Sequence, residues 1–188
     1  MTEKEKMLVG QLYQASDKHL VEERLKARQI LFELNQLNPA QIGERDRLLA
    51  LLFGKIAPPI QVESPFRCDY GYNIELGKNF FSNFNCTILD CAKVIIGDNV
   101  LFGPNVSIFT AGHPVDAARR NDGWEYALPV TIGNNVWIGG NVVINPAVTI
   151  GNNVVIGAGS VVTRSIPDDV VAAGNPCRVL RSVAGGDR

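Results

Sequence analysis

Two histidines and four cysteines are the side chains of this 188-residue chain best suited to move a proton or attack a carbonyl at neutral pH. His19 lies among charges in a stretch of helical pattern and reads as a solvated helix residue. His113 stands in Gly112-His113-Pro114. An imidazole there, just after a coil strand, is a candidate for function. The same residue reads equally well as a loop imidazole capping a carbonyl. Cys68, Cys86, Cys91 and Cys177 form no CxxC pair and no zinc spacing, and no neighbour in sequence would activate a thiolate. They are expected to be reduced, mostly buried thiols of a cytoplasmic protein. Nineteen acidic against eighteen basic residues leave a net charge of −1, which provides no basic field for nucleic acid or membrane. The start MTEKEKMLVGQLY is charged and without a long apolar run, so neither signal peptide nor transmembrane span is expected.

A repeat must position these groups. In residues 130–164, one aliphatic column recurs every six residues at Ile132, Ile138, Ile144, Ile150, Ile156 and Val162. A second runs through Val136, Val142, Val148 and Val154, and Gly follows the first at Gly133, Gly139, Gly151 and Gly157. Neither the helical period of 3.6 nor strand alternation produces a strict six. Short β-branched runs broken by Gly-Asn corners, where the backbone must turn left-handed, predict a coil of brief parallel strands. Three hexads, about 18 residues, would make one triangular turn, with turns stacked about 4.8 Å apart over a dry aliphatic core.

The repeat begins more loosely over 60–110, with Leu76-Gly77, Ile96-Gly97, Phe102-Gly103 and Ile108. Beyond Ile108 the six-step falls on Pro114, Arg120 and Tyr126, which cannot be core, so residues of about 111–130 are expected to leave the coil as a loop. A long loop interrupting a solenoid is a natural place for function. Ahead of the coil, residues 1–57 read as a short helical region. Thr2-x-x-Glu5 suggests a capping box, and Ser16 or Asp17 can cap a second helix with a stripe of Leu20, Leu25, Ile30 and Leu34. Asn38-Pro39 would start a third helix carrying Leu48, Leu49, Leu51 and Leu52. The coil spans 58–164, and 165–188 form a cap over its open edge, ending in a tail, SVAGGDR, expected to be mobile.

The helical lead, FRCDYGYNIELGKNFFSNFN, AGHP, VTIGNNVWIGGNVVINPAVTIG and GNPCRVLR together resemble the maltose and galactoside O-acetyltransferases, from about residue 3 to 182. That resemblance implies a left-handed coil, against the usual right-handed crossover. It implies transfer of acetyl from acetyl-CoA to a sugar hydroxyl in a ternary complex, with no metal. His113 then matches the base, Asn83 the partner that orients the acceptor, and Asp69 an acceptor contact. The Gly140 N–H matches the donor to the thioester oxygen, and Trp137 a wall beside the acyl group. Ala158, Thr163 and Arg164 match the CoA groove, and Arg178 and Arg181 its nucleotide end. Two acidic acceptor contacts of the galactoside branch fall here on Ala15 and Cys91, with Asp17 near the first but out of register. The resemblance also implies a homotrimer with sites between subunits. A zinc enzyme of β-helix type would need three imidazoles per site, which one coil histidine per chain does not supply. Competing readings are a non-catalytic hexapeptide scaffold or binding protein, and an O-acetyltransferase for a non-sugar hydroxyl compound.

Overall fold

The computed structural model describes residues 1–184, and in it the six-residue rhythm becomes a left-handed parallel β-helix with three walls. The first wall stacks Lys55–Ile56, Ile74–Leu76, Val94–Ile96, Val130–Ile132 and Thr149–Ile150. The second stacks Ile60–Val62, Phe80–Ser82, Leu101–Phe102, Trp137–Ile138, Val155–Ile156 and Val170–Ala173. The third stacks Phe66–Cys68, Cys86–Leu89, Ser107–Phe109, Val143–Ile144 and Val161–Val162. Each residue of the main column lies directly above its counterpart one turn below, as in Ile96, Ile132 and Ile150, or Ile108, Ile144 and Val162. Both aliphatic columns are buried, and they form one continuous core with Phe66, Phe80 and Phe102. Burying such side chains contributes about 1.5–3 kcal/mol each before chain entropy is subtracted.

The corners explain the Gly and Asn. From the first wall to the second, Asn79, Asn99, Asn135, Asn153 and Asp169 all adopt left-handed backbone, with φ of 54° to 60°. Gly133 precedes one such corner because the turns touch there. A Cβ on it would lie 2.7 Å from Asn152 Oδ1 and 2.8 Å from the Gly151 carbonyl oxygen.

From the third wall to the first, the rhythm fails. Equivalent residues one turn apart are separated by 20 positions between Asn79 and Asn99, 18 between Asn134 and Asn152, and 16 between Asn153 and Asp169. In the two early turns the surplus falls between Cys68 and Ile74 and between Leu89 and Val94, the same corner in both. In the third turn the chain leaves this corner after Thr110 and rejoins at Val130. The sequence expectation of 18 per turn therefore holds only where the corner is regular.

Over the N-terminal part, α1 (Glu3–Leu8) carries the expected capping box, and α2 (Lys18–Gln36) is capped by Asp17. The buried face of α2 is Leu20, Ala27, Leu31 and Leu34, whereas Leu25 is 54% exposed. Five residues beyond Leu20 lies about 140° around a helix, which turns Leu25 away from the core. The third helix, α3 (Ile42–Leu52), starts later than Asn38-Pro39 suggested. The Asn38 side chain instead accepts from the Ala40 N–H at 3.0 Å, closing a turn of its own ahead of the helix. Leu48, Leu49 and Leu52 then close the core, with Leu51 exposed.

The excursion is ordered. Ala111–Gly112 pairs antiparallel with Trp124–Ala127, which pairs in turn with Tyr13–Gln14, and α4 (Ala117–Asn121) lies between the first two. A second small core of Met7, Tyr13, Leu20, Tyr70, Cys91, Ala92 and Ala127 joins N-terminal segment, excursion and third corner. At the other end, Arg178–Ser182 folds back on Val170–Ala173 and caps the second wall. The Val183 N–H bonds the Asp169 carbonyl at 3.0 Å, so the first part of SVAGGDR is held by this cap; residues 185–188 lie outside the described residues.

Candidate active site

The irregular corner encloses a cavity of about 300 Å³ lined by Tyr13, Ala15, Arg24, Asp69, Leu89, Cys91, Ala111, His113 and Glu125. His113 follows directly from the Ala111–Gly112 strand, which fixes its backbone. Its Nδ1 lies 3.4 Å from the Trp124 carbonyl oxygen, a group that only accepts. In the neutral ring, that contact suits a proton on Nδ1 and a lone pair on Nε2. Glu125 Oε1 lies 4.0 Å from Nε2 and can stabilise an imidazolium once a proton arrives.

The other walls come from distant segments. Tyr13 is fully buried, and its hydroxyl donates to Glu125 Oε2 at 2.9 Å. Burial first, then Cys91 and Glu125, push this phenol far above its ordinary range, so it remains a donor. Arg24 donates to the Tyr70 hydroxyl at 2.7 Å and to the Ala15 carbonyl at 2.6 Å, tying the N-terminal segment to the corner. Cys91 donates through sulfur to Asp69 Oδ2 at 3.4 Å. Burial raises the Asp69 carboxyl above the usual carboxylate range, opposed by that hydrogen bond and by Arg24. All four thiols are buried and unpaired. Burial pushes Cys86 up to about 12, and burial with Asp69 raises Cys91, so no thiolate is presented to the cavity.

The residues singled out in the sequence separate into two groups. His113 and Asp69 line the cavity. Asn83 lies on another corner, from the second wall to the third, where its Oδ1 accepts from the Phe84 N–H at 2.8 Å. Gly140 and Ala158 lie on that same second corner in later turns, where the Gly159 N–H bonds the Gly140 carbonyl at 2.9 Å. Trp137 projects from the second wall, 55% exposed. Thr163 and Arg164 are exposed just past Val162, and Arg178 and Arg181 on the capping strand. These three arginines form no ion pair among the described residues. Asp17 does not line the cavity; its carboxylate accepts from the His19 and Leu20 N–H groups at the start of α2. His19 lies on the outer face of that helix beside Glu23.

At the second corner the Gly140 N–H meets no acceptor among the described residues. One corner away, the equivalent Asn134 N–H is taken by Asn152 Oδ1 of the turn above at 2.8 Å. Ala158, standing in that place above Gly140, offers only a methyl. A backbone donor is thereby left without an acceptor among the described residues.

Tyr13, Arg24, Tyr70, Asp90 and Glu125 escaped the sequence reading. One signal was available for those on the coil: the six-step slips by two after Cys68 and again after Ile88. No group of three or more His, Cys, Asp or Glu suited to a metal ion occurs among the described residues, and no helix there is long and apolar enough to cross a membrane.

Comparison with known proteins matches residues 6–57 to the maltose acetyltransferase hexapeptide capping motif. Residues 129–164 match the bacterial transferase hexapeptide, and 93–115 the hexapeptide repeat of succinyl-transferase. The galactoside O-acetyltransferase of Escherichia coli K12 is 47% identical over 98% of this chain and 91% of its own. The crystal structure of a maltose O-acetyltransferase from Clostridium difficile 630 superposes with a TM-score of 0.96 at 54% identity, covering 97% of each chain. A galactoside acetyltransferase in complex with coenzyme A superposes at 0.94 with 48% identity, over 97% of this chain and 92% of that one.

Proposed function

The chain belongs to the maltose and galactoside O-acetyltransferase family of hexapeptide-repeat proteins, and from that membership we propose that it transfers acetyl from acetyl-CoA to a hydroxyl of a small sugar. His113 is the general base of a ternary complex. The observation that carries this is His113 itself: Nδ1 is tied to the Trp124 carbonyl, and the free Nε2 stands over a cavity with carboxylates on its wall.

In the reaction, Nε2 takes the proton of an acceptor hydroxyl as its oxygen attacks the thioester carbonyl. The resulting oxyanion accepts from the free Gly140 N–H. Collapse releases the CoA thiolate, which takes the proton back from the imidazolium. No acetyl-cysteine forms, since every thiol is buried with its pKa raised. Trp137 walls the acyl end, Ala158, Thr163 and Arg164 the pantetheine groove, and Arg178 and Arg181 meet the nucleotide phosphates.

His113 and Asp69 occupy one corner of the prism, and Asn83, Gly140 and Ala158 another, so each chain carries two different half-sites. A homotrimer that sets the third corner of one chain against the second corner of its neighbour completes both. Four buried free thiols suit the reducing cytoplasm. A second acceptor class is favoured by one observation: the cavity wall carries Ala15 and Cys91 where the galactoside branch is acidic, so a hydroxyl compound other than a galactoside fits as well.

The test is an acceptor panel with acetyl-CoA, comprising maltose, glucose, a galactoside and non-sugar alcohols, run with wild type and with a variant in which all four Cys are Ser or Ala. Ester formation on a sugar, retained within a few-fold in the folded variant, is expected. Transfer only to non-sugar alcohols would move the protein to the second class, and an acetyl-cysteine isolated during turnover would overturn direct transfer.

A further inference from the structure

Asp90 is the one carboxylate with no solvent exposure among the described residues. It sits at the widened corner of the second turn, above residues 69–73 of the first. Its Oδ1 accepts from the Asp69 N–H at 3.0 Å and the Tyr70 N–H at 2.8 Å, and its Oδ2 from the Asn73 N–H at 3.3 Å. The Asn73 amide returns the bond, donating to the Asp90 carbonyl at 2.7 Å. One turn higher the same corner is closed without charge. There Thr110 Oγ1 donates to the Leu89 carbonyl at 2.7 Å and accepts from the Ala92 N–H at 2.9 Å.

That contrast carries the argument. A hydroxyl suffices to close this corner, yet the lower turn uses a carboxylate, which can hold three N–H groups at once. Burial and the nearby Asp69 charge push the Asp90 carboxyl up to about 7 despite those donors, so an anion here is costly to keep. Two of the three N–H groups belong to Asp69 and Tyr70. Asp69 puts its carboxylate on the cavity wall, and Tyr70 presents the hydroxyl that holds Arg24. Asp90 does not line the cavity.

We propose that Asp90 is a positioning residue for the acceptor, fixing the Asp69–Tyr70 backbone so that the Asp69 carboxylate is aimed into the cavity. The proposal rests on the reading of that cavity as the acceptor site. Its scope is acceptor recognition, because His113 is carried by the Ala111–Gly112 strand and the free Gly140 N–H by another corner.

The experiment is steady-state kinetics on the full-length Asp90→Asn protein with the best sugar of the panel. Asn keeps one oxygen for Asp69 and Tyr70 and sets an NH₂ against the Asn73 N–H. The acceptor KM is expected to rise about tenfold or more, the worth of a hydrogen bond to a charged group, with acetyl-CoA KM and kcat within about twofold. The same change made in an Asp69→Ala background should add almost nothing, since Asp90 acts through Asp69. An unchanged acceptor KM overturns the proposal, as does an equal rise in both backgrounds, which is what general loosening would give. If Asp90→Asn does not fold, Asn73→Ala, which removes the returning bond, is judged by the same criteria. A wild type that acetylates no sugar overturns the acceptor reading and the proposal with it; an active wild type with an unaffected variant overturns the proposal alone.

Discussion

The first corner of the prism keeps one backbone path in every turn and the third does not, and the two handle their polar groups differently. At the first, every turn is stitched to the one above. The N–H of Lys78 bonds Asp98, that of Asp98 bonds Asn134, that of Asn134 bonds Asn152 and that of Asn152 bonds Asp168, all at 2.7–2.8 Å. A second row of Asn side chains runs beside it, from Asn79 to Asn99 to Asn135. At the third corner the surplus residues make the stitching irregular, with Asp90 and then Thr110 holding N–H groups of the turn below. Beside it Asp69, Cys91 and His113 line a cavity, together with Tyr13 and Glu125. The regular Asn row satisfies its polar groups between turns, whereas the interrupted corner leaves several beside a cavity. The second corner shows how small the difference can be, since one methyl at Ala158 in place of an amide frees the Gly140 N–H.

The two corners should therefore respond differently to substitution. At the irregular one, His113→Ala should lower turnover by about 10² to 10⁴ and leave stability within about 0.5 kcal/mol, as usual for exposed positions. Turnover and thermal protection by acetyl-CoA, measured on one sample, decide it. Near-normal turnover would remove His113 as the base, and lost protection would mean that the site itself had collapsed. In the regular part, Ile144→Ala should do the reverse. Ile144 is fully buried between Ile108 and Val162, so truncation should cost about 2–5 kcal/mol, while the protein still folded in the cold keeps its specific activity. Hydrogen exchange should show a lesser contrast: amides of α4 exchange faster than those of 137–162 in the free protein, because α4 buries none of its residues. Equal protection would argue that the excursion folds as part of the coil. The smallest effect is expected for Asn134→Ala. It deprives the exposed Asp98 N–H of its acceptor, but water can replace it, for a loss of about 0.5–1.5 kcal/mol and unchanged turnover. A fall in turnover comparable to that of His113→Ala would abolish the distinction between the corners.

The same division decided what could be read from the sequence. The column from Ile132 to Val162 was legible because one structural rule repeats without exception. The Thr2–Glu5 box and the Asp17 cap were legible because they involve only local bonds. The excursion announced itself when the six-step met Pro114 and Arg120. Helix faces were harder: Ala27 and Leu31 are buried while the larger-looking candidate Leu25 is not, since the angle around the helix outweighs size. The cavity was least legible. Tyr13, Arg24, Asp69 and Glu125 come from four stretches of chain that share no pattern, and they meet only because one small three-stranded sheet and a widened corner bring them together. The separation of Asn83 from His113 was equally hidden, as nothing in a six-residue repeat states which corner a given step will occupy.

The strand pair Tyr13–Glu125 also sets the order in which the molecule can be completed. The two side chains bond across 112 positions of sequence, and the backbone between them winds the first three turns of the coil. The N-terminal strand leaves the ribosome early and must wait, unpaired, until its partner has been synthesised and the turns beneath have stacked. Local turns can form as they emerge, whereas this contact has one of the highest loop-closure costs in the chain. The corner that holds the cavity can therefore close only after the first three turns of the coil have been made. A nascent chain ending before Glu125 would leave the Tyr13 hydroxyl and strand without their partner.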